Sequence, residues 1–203
     1  MRWVKYPDVE YQKSISVMHG YLNGVINGGQ DVVMLCQYSD VITKGTSTED
    51  PDILNGISIP IYDTDRGGRA TYHGPGQRVV YPIININKPP WKKDIKKYIN
   101  FLEQWMIICL NRFNIDCYAK DSIGIWCKGK KIGFIGLRVK KYCAFHGFAI
   151  NVSTSLDMYK NIKACGLNND EITSMENLGV KISISEFDLA LKLAYHDSIS
   201  KFI

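Results

Sequence analysis

Gly124-Ile-Trp-Cys-Lys-Gly-Lys-Lys131 stands one residue away from the phosphate-binding pattern GxxxxGK[ST], and its reading decides the fold. Lys131 occupies the place where that pattern needs a hydroxyl for Mg²⁺. The residues between the glycines are bulky, and a β-type run follows in place of a helix. The stretch therefore reads as a strand, a basic hairpin turn and a second strand. Ile123 to Cys127, Ile132 to Val139 and Ala144 to Val152 then become successive strands separated by basic turns.

Outward from this hairpin the pattern alternates between the two periodicities. Asp31 to Tyr38 reads as a buried strand, and Val79 to Ile86 as a strand of near-continuous apolar character. Ser39 to Ile59 is turn-rich. From Pro7 to Ile26 the apolar residues Met18, Tyr21, Leu22, Val25 and Ile26 recur at helical spacing, and Gly28-Gly29 stops the run. Pro89-Pro90 precede a helix whose apolar face is Ile95, Ile99, Leu102, Met106 and Cys109. A short helix is expected around Ser155 to Ile162. Ser185 is expected to cap a last helix carrying Phe187, Ala190, Leu191 and Ala194. This order predicts an α/β (α+β) fold with a mixed β-sheet flanked by helices, and residues 1–203 as a single domain without a dividing linker.

Composition narrows the classes. Of 203 residues 45% are apolar and 22% charged, which argues for a packed core and against wholesale disorder. The formal charge of +5 fits an acidic partner, a nucleic acid or a plain solvated surface. Neither a secretory leader nor an apolar run long enough for a membrane span is visible, so the cytoplasm is the default location. Most of the six cysteines sit inside apolar stretches, as buried small hydrophobes do in a reducing compartment. Cys143 and His146 are three apart, but no second pair lies nearby, so no metal site is expected.

Two features invite chemistry. The loop Arg66-Gly-Gly-Arg-Ala-Thr-Tyr-His-Gly-Pro-Gly-Gln77 is either a tight surface loop or a binding loop. Its two arginines, tyrosine and histidine favour binding. Cys165, between a helix end and Gly166, is either an inert loop cysteine or an exposed thiol able to reach a substrate.

Four collinear blocks choose between these readings. They are Arg66 to Gln77 with Tyr81-Pro82, Lys130-Lys131-Ile-Gly-Phe-Ile-Gly-Leu-Arg138, Phe145-His-Gly-Phe-Ala-Ile-Asn151, and Cys165-Gly166. With the turn Thr43-Lys44-Gly45 they resemble, in order and spacing, the lipoyl(octanoyl) transferase family over residues 30 to 170. Ala164 and Asp40 stand where that family commonly has proline. The resemblance implies the α/β fold shared by biotin and lipoate protein ligases. It implies transfer of an octanoyl group from octanoyl-acyl carrier protein to a lysine of a lipoyl domain, without cofactor. The acceptors it implies are the lipoyl domains of 2-oxoacid dehydrogenase complexes and the glycine cleavage H protein. Cys165 is implied as the nucleophile that becomes a thioester, with Lys131 as its activating or acid–base partner. Substrate contacts are implied at Arg66, Gly67, Gly68, Arg69, Ala70, Thr71, Tyr72 and His73, at Phe134, Ile135 and Gly136, and at Gly147, Phe148 and Ala149.

The chemistry is consistent with that assignment. One thioester replaces another and an amide follows downhill, so neither ATP nor a metal is required. A free thiol titrates near about 8.5, so a nearby ammonium is needed to favour the thiolate. Two other readings compete. A lipoate-type ligase or amidotransferase of the same fold would need ATP and dispense with the cysteine. A basic nucleic-acid-binding module would rest on the charge and on Lys92, Lys93, Lys96 and Lys97, and membrane or nucleic-acid partners are otherwise not implied. A second basic group, Arg138, Lys140 and Lys141, is expected at the mouth of the site, where it can steer an acidic carrier.

Overall fold

A computed structural model describes residues 1–49, 52–53, 58–120, 123–164 and 171–203. Among these residues the chain runs β1 (Arg2–Tyr6), α1 (Tyr11–Ile26), β2 (Val32–Cys36), β3 (Val41–Lys44), β4 (Ile61–Asp63), β5 (Thr71–His73) and β6 (Gln77–Asn85). It continues with α2 (Ile95–Asn111), β7 (Tyr118–Ala119), β8 (Ile125–Cys127), β9 (Lys130–Lys140), β10 (Cys143–Asn151) and α3 (Ile184–Ile199). Seven strands form a sheet in the order β1-β2-β6-β10-β9-β8-β7, and β4-β3-β5 form a second, smaller one. Each sheet has one parallel pair, β1 with β2 and β3 with β4, so the expected mixed character is present.

The near-continuous apolar strands follow from a sheet covered on both faces. Val33 and Leu35 of β2, Val80 and Ile84 of β6 and Phe148 and Ile150 of β10 pack with Phe101, Leu102, Trp105 and Met106 of α2 and Phe187 and Leu191 of α3. The alternate residues Met34, Cys36, Val79, Tyr81, Ile83, Phe145 and Ala149 pack with Met18, Leu22 and Val25 of α1. Period-two alternation thus sorts each strand onto two cores.

The decisive stretch is a hairpin. Ile125 to Cys127 pairs antiparallel with β9, and Lys128 and Gly129 between them have φ of 47° and 80°. Two consecutive left-handed residues are the signature of a two-residue hairpin turn whose twist suits the strands. Lys141 and Tyr142 do the same between β9 and β10, with φ of 48° and 60°.

Several local expectations shift. The turn-rich region holds β3, and the glycine-rich loop contains β5. The short helix is a 3₁₀ turn, Asp157–Asn161. The last helix is capped by Ser183, not Ser185. Ser183 Oγ accepts from the Glu186 N–H, and the Glu186 carboxylate accepts from the Ser183 N–H, a reciprocal box. Asp188, three residues after Ser185, is instead engaged by Arg78. Their Nε–Oδ1 separation is 2.8 Å, and Nη2 donates to Oδ2 at 3.2 Å. Lys5 adds a third charge at 2.9 Å from the same carboxylate.

Candidate active site

The glycine-rich loop begins with Arg66, whose guanidinium is buried and works on the chain itself. Nη2 donates to the Thr43 carbonyl and hydroxyl, both at 2.8 Å, and Nη1 donates to the carbonyls of Gly67 and Arg69 at 3.1 and 2.9 Å. This fixes the turn against β3. Gly45 has to be glycine there: a Cβ would stand 2.2 Å from the Gly68 carbonyl oxygen. The turn is tied to β9 by the Gly67 N–H, which donates to the Leu137 carbonyl at 2.8 Å. Arg69 is held by Asp52 and Glu49.

Behind the turn, β6, β9 and β10 enclose a narrow slot of about 40 Å³. Its walls are Arg66, Gly68, Thr71 and His73, Phe134, Ile135 and Gly136, and Gly147, Phe148 and Ala149, together with Tyr11, Val79, Tyr81 and His146. Three blocks far apart in sequence therefore meet around one apolar space. A wider cavity of about 560 Å³ adjoins it, sharing Gly68, Ile135 and Gly136, and is lined further by Gly67, Arg69 and Lys131. Ala70 and Tyr72 line neither. Both are buried, and the Tyr72 hydroxyl donates to Asp40 at 2.6 Å.

Four wall residues of the slot were not singled out beforehand. His146 lies in a quoted block, and its φ of 56° within a strand is a local anomaly visible only in the backbone. Tyr81 also lies in a quoted block, while Tyr11 and Val79 sit in an ordinary helix and strand and gave no local signal.

His146 Nε2 is 2.7 Å from Asp65 Oδ1, and Arg138 also reaches Asp65, through Nε at 3.4 Å. The hydrogen bond from His146 holds the Asp65 carboxyl below its usual range, while burial lowers the imidazole. His73 Nδ1 is 2.6 Å from Gln77 Oε1. The Gln77 amide donates to the Tyr72 carbonyl, Asn151 and Tyr159, so its oxygen must be an acceptor and His73 carries its proton on Nδ1. Burial pushes His73 down to about 4.

Below its ordinary value of 6.5 an unfolded His73 takes up a proton that the folded chain refuses until about 4. Stability is therefore lost as pH falls between those values. Urea unfolding across that window is expected to show this slope, steepened by His146. His73→Gln should remove part of it, and an unchanged slope in that variant would show that His73 does not titrate as described.

Lys131, the second residue of β9, has its side chain inward, 3% exposed, whereas Lys130 faces solvent. Nζ donates to the Ile123 carbonyl at 2.8 Å and lies 5.7 Å from the Trp126 ring and 5.3 Å from the Phe134 ring. A carbonyl oxygen and aromatic faces are partners that suit an ammonium. Gly124 makes room: a Cβ there would be 2.6 Å from the lysine Cε. Glu103 accepts from the Gly124 N–H at 3.3 Å. Burial raises its carboxyl, an effect opposed by that bond and by the charge of Lys131.

Cys165 lies outside the described residues, as does Gly166. On one side of that segment, Ala164 is buried in a cluster with Phe134, Tyr159 and Ile162. On the other, Ile172 bridges to Lys131, and the Thr173 N–H donates to the Lys131 carbonyl at 2.9 Å.

The arrangement is that of a known class of fold. Lipoate-protein ligase A bound with ATP superimposes with a TM-score of 0.79 at 16% identity, over 98% of this chain and 85% of that one. Biotin protein ligase from Aquifex aeolicus gives 0.57 at 11% identity, over 100% and 70%. The profile of the lipoyl protein ligase A/B catalytic domain matches residues 10–196. An octanoyltransferase from Rickettsia canadensis (strain McKiel) is 43% identical over 97% of this chain and 98% of its own length. The chain belongs to the lipoyl protein ligase A/B catalytic-domain family, among its octanoyltransferases.

Proposed function

We propose that this acyltransferase works in two steps through a thioester on Cys165, taking octanoyl from an acyl carrier protein and giving it to a lysine of a lipoyl domain. The observation that supports this reading best is Lys131. It is a buried lysine that lines the wider cavity and stands 5.3 Å from the ring of Phe134, a wall of the slot, with both described flanks of the Cys165 segment packed beside it or beside Phe134.

In the first step the Cys165 thiolate attacks the donor carbonyl. The new sulfur–carbon bond forms, the carrier's sulfur–carbon bond breaks, and the departing thiolate takes a proton. In the second step the acceptor amine attacks the Cys165 thioester. The amide forms, Cys165 leaves as a thiolate, and the amine's proton passes to Lys131 in its neutral form. As an ammonium the same lysine favours the thiolate before each cycle. Backbone N–H groups of the glycine turn suit the oxyanion of both tetrahedral species.

The slot takes the acyl chain. Six methylenes at about 0.8 kcal/mol each contribute roughly 5 kcal/mol. The acceptors are the lipoyl domains of 2-oxoacid dehydrogenase complexes and the glycine cleavage H protein. The reaction takes place in the cytoplasm, where reduced thiols such as the buried cysteines persist. Among the described residues no helix is long and apolar enough to cross a membrane.

Intact-protein mass after incubation with octanoyl-loaded carrier is expected to rise by one octanoyl group, and to return to its starting value on addition of a lipoyl domain. A chain that gains no mass, and modifies the domain only when given free acid and ATP, would be working as a ligase.

A further inference from the structure

Resting on the carrier-bound donor proposed above, we infer that the carrier docks, by an acidic face bearing apolar residues, on a single basic surface built jointly by the start of α2 and the β9–β10 turn. The two lysine groups are distant in sequence, and the fold joins them. The Lys93 N–H donates to the Ile86 carbonyl at 2.7 Å, and the Ile86 N–H donates to the Tyr142 carbonyl at 2.8 Å. Lys93 Nζ stands 4.5 Å from the Tyr142 ring. Lys92, Lys93 and Lys96 therefore share one rim with Lys140 and Lys141, all five exposed. Lys97 is not part of it, because its ammonium donates to the carbonyls of Pro90 and Phe202.

The rim borders the wider cavity, whose apolar lining includes Ile95 and Ile99 of α2 and Leu137 and Val139 of β9, and which Lys131 also lines. Ile95 and Ile123 at its lip are 46% and 49% exposed, and Tyr142 is 50% exposed. Among the described residues the neighbouring carboxylates Asp94, Glu103 and Asp65 are held in place, Asp94 by capping α2, Glu103 by the Gly124 N–H and Asp65 by His146 and Arg138. The five exposed lysines outnumber these three carboxylates around the apolar groove. Its complement is an acidic protein that presents apolar side chains and feeds its thioester inward. Complementary charge of this kind acts mainly on encounter and on wrong-partner rejection.

The test uses the full chain and two charge-reversed pairs, Lys93→Glu with Lys96→Glu and Lys140→Glu with Lys141→Glu. Acylation is measured with octanoyl-loaded carrier and with a small uncharged octanoyl thioester. Each pair is expected to lower kcat/KM for the carrier at least about tenfold, chiefly through KM, and to flatten its salt dependence. The small thioester should react at an unchanged rate. If either pair leaves the carrier rate intact, the joint surface is wrong. Equal losses with both donors would mean damage at the site and would also overturn it. Reversals that spare the carrier but abolish retention of a random duplex would reassign the surface to nucleic acid. An unmodified chain acylated by neither donor would instead bring down the transfer reading on which the surface rests.

Discussion

Replacing Cys165 with serine is expected to abolish the acyl-enzyme and to lower transfer by at least about 10⁴-fold, the scale of losing a nucleophile that acts in both steps. The expectation rests on contrast with the other cysteines. Cys36, Cys109, Cys117, Cys127 and Cys143 are all buried free thiols. Burial raises every one of them, Cys36 to about 12, so a thiolate is disfavoured at each. A buried thiol with a raised pKa is a poor nucleophile. Peptide mapping of the octanoylated chain should therefore place the label on Cys165 alone. Label on Cys127 or on Cys143 would remove Cys165 from its role.

Lys131→Ala is expected to cost about 100-fold or more in kcat/KM, the range of a positioned acid–base group. Lys130→Ala should be close to the parent. The two residues are adjacent on β9, and alternation sends one inward to the Ile123 carbonyl and the aromatic pair and the other to solvent. Unfolding in urea separates chemistry from stability, because Lys131 is buried and its loss empties a packed position. Lys131→Met keeps the stem and should restore stability without restoring rate. A variant with restored stability and restored rate would mean that the lysine serves packing, and Lys130→Ala as the worse variant would mean that the roles are reversed.

The central strands were legible because they are covered on both faces. Residues 31–38 read as a buried strand, 79–86 as a near-continuous apolar one and 144–152 as a short β-type run, and the observed β2, β6 and β10 fall within one residue or two of them. The hairpin was legible because bulky residues and a missing hydroxyl argued against a phosphate loop. The cap of α3 was misplaced by two residues because both Ser183 and Ser185 have a carboxylate three positions on. Only the fold shows that Asp188 is drawn to Arg78. β1, β3, β4, β5 and β7 were missed because each is short and is held by pairing to a partner more than by its own pattern. Resemblance, more than periodicity, marked the candidate site: it placed Arg66, Phe134 and Gly147 together, while nothing local distinguished Tyr11 or Val79 as their neighbours. The basic groups were read as two because their nearness comes from Ile86 bonding to both Lys93 and Tyr142.

The pairing of Arg78 with Asp188 bears on how the sheet closes. The two residues are 110 positions apart, and both are buried. A charge enclosed without its partner typically costs about 3–5 kcal/mol. β6 precedes α3 by about a hundred residues in the chain, so closing the large sheet around Arg78 without α3 would enclose a charge without this partner. A chain cut before residue 188 is therefore expected to leave the Arg78 guanidinium, in a strand that helps to wall the slot, without this carboxylate, and to unfold at lower urea than the full chain.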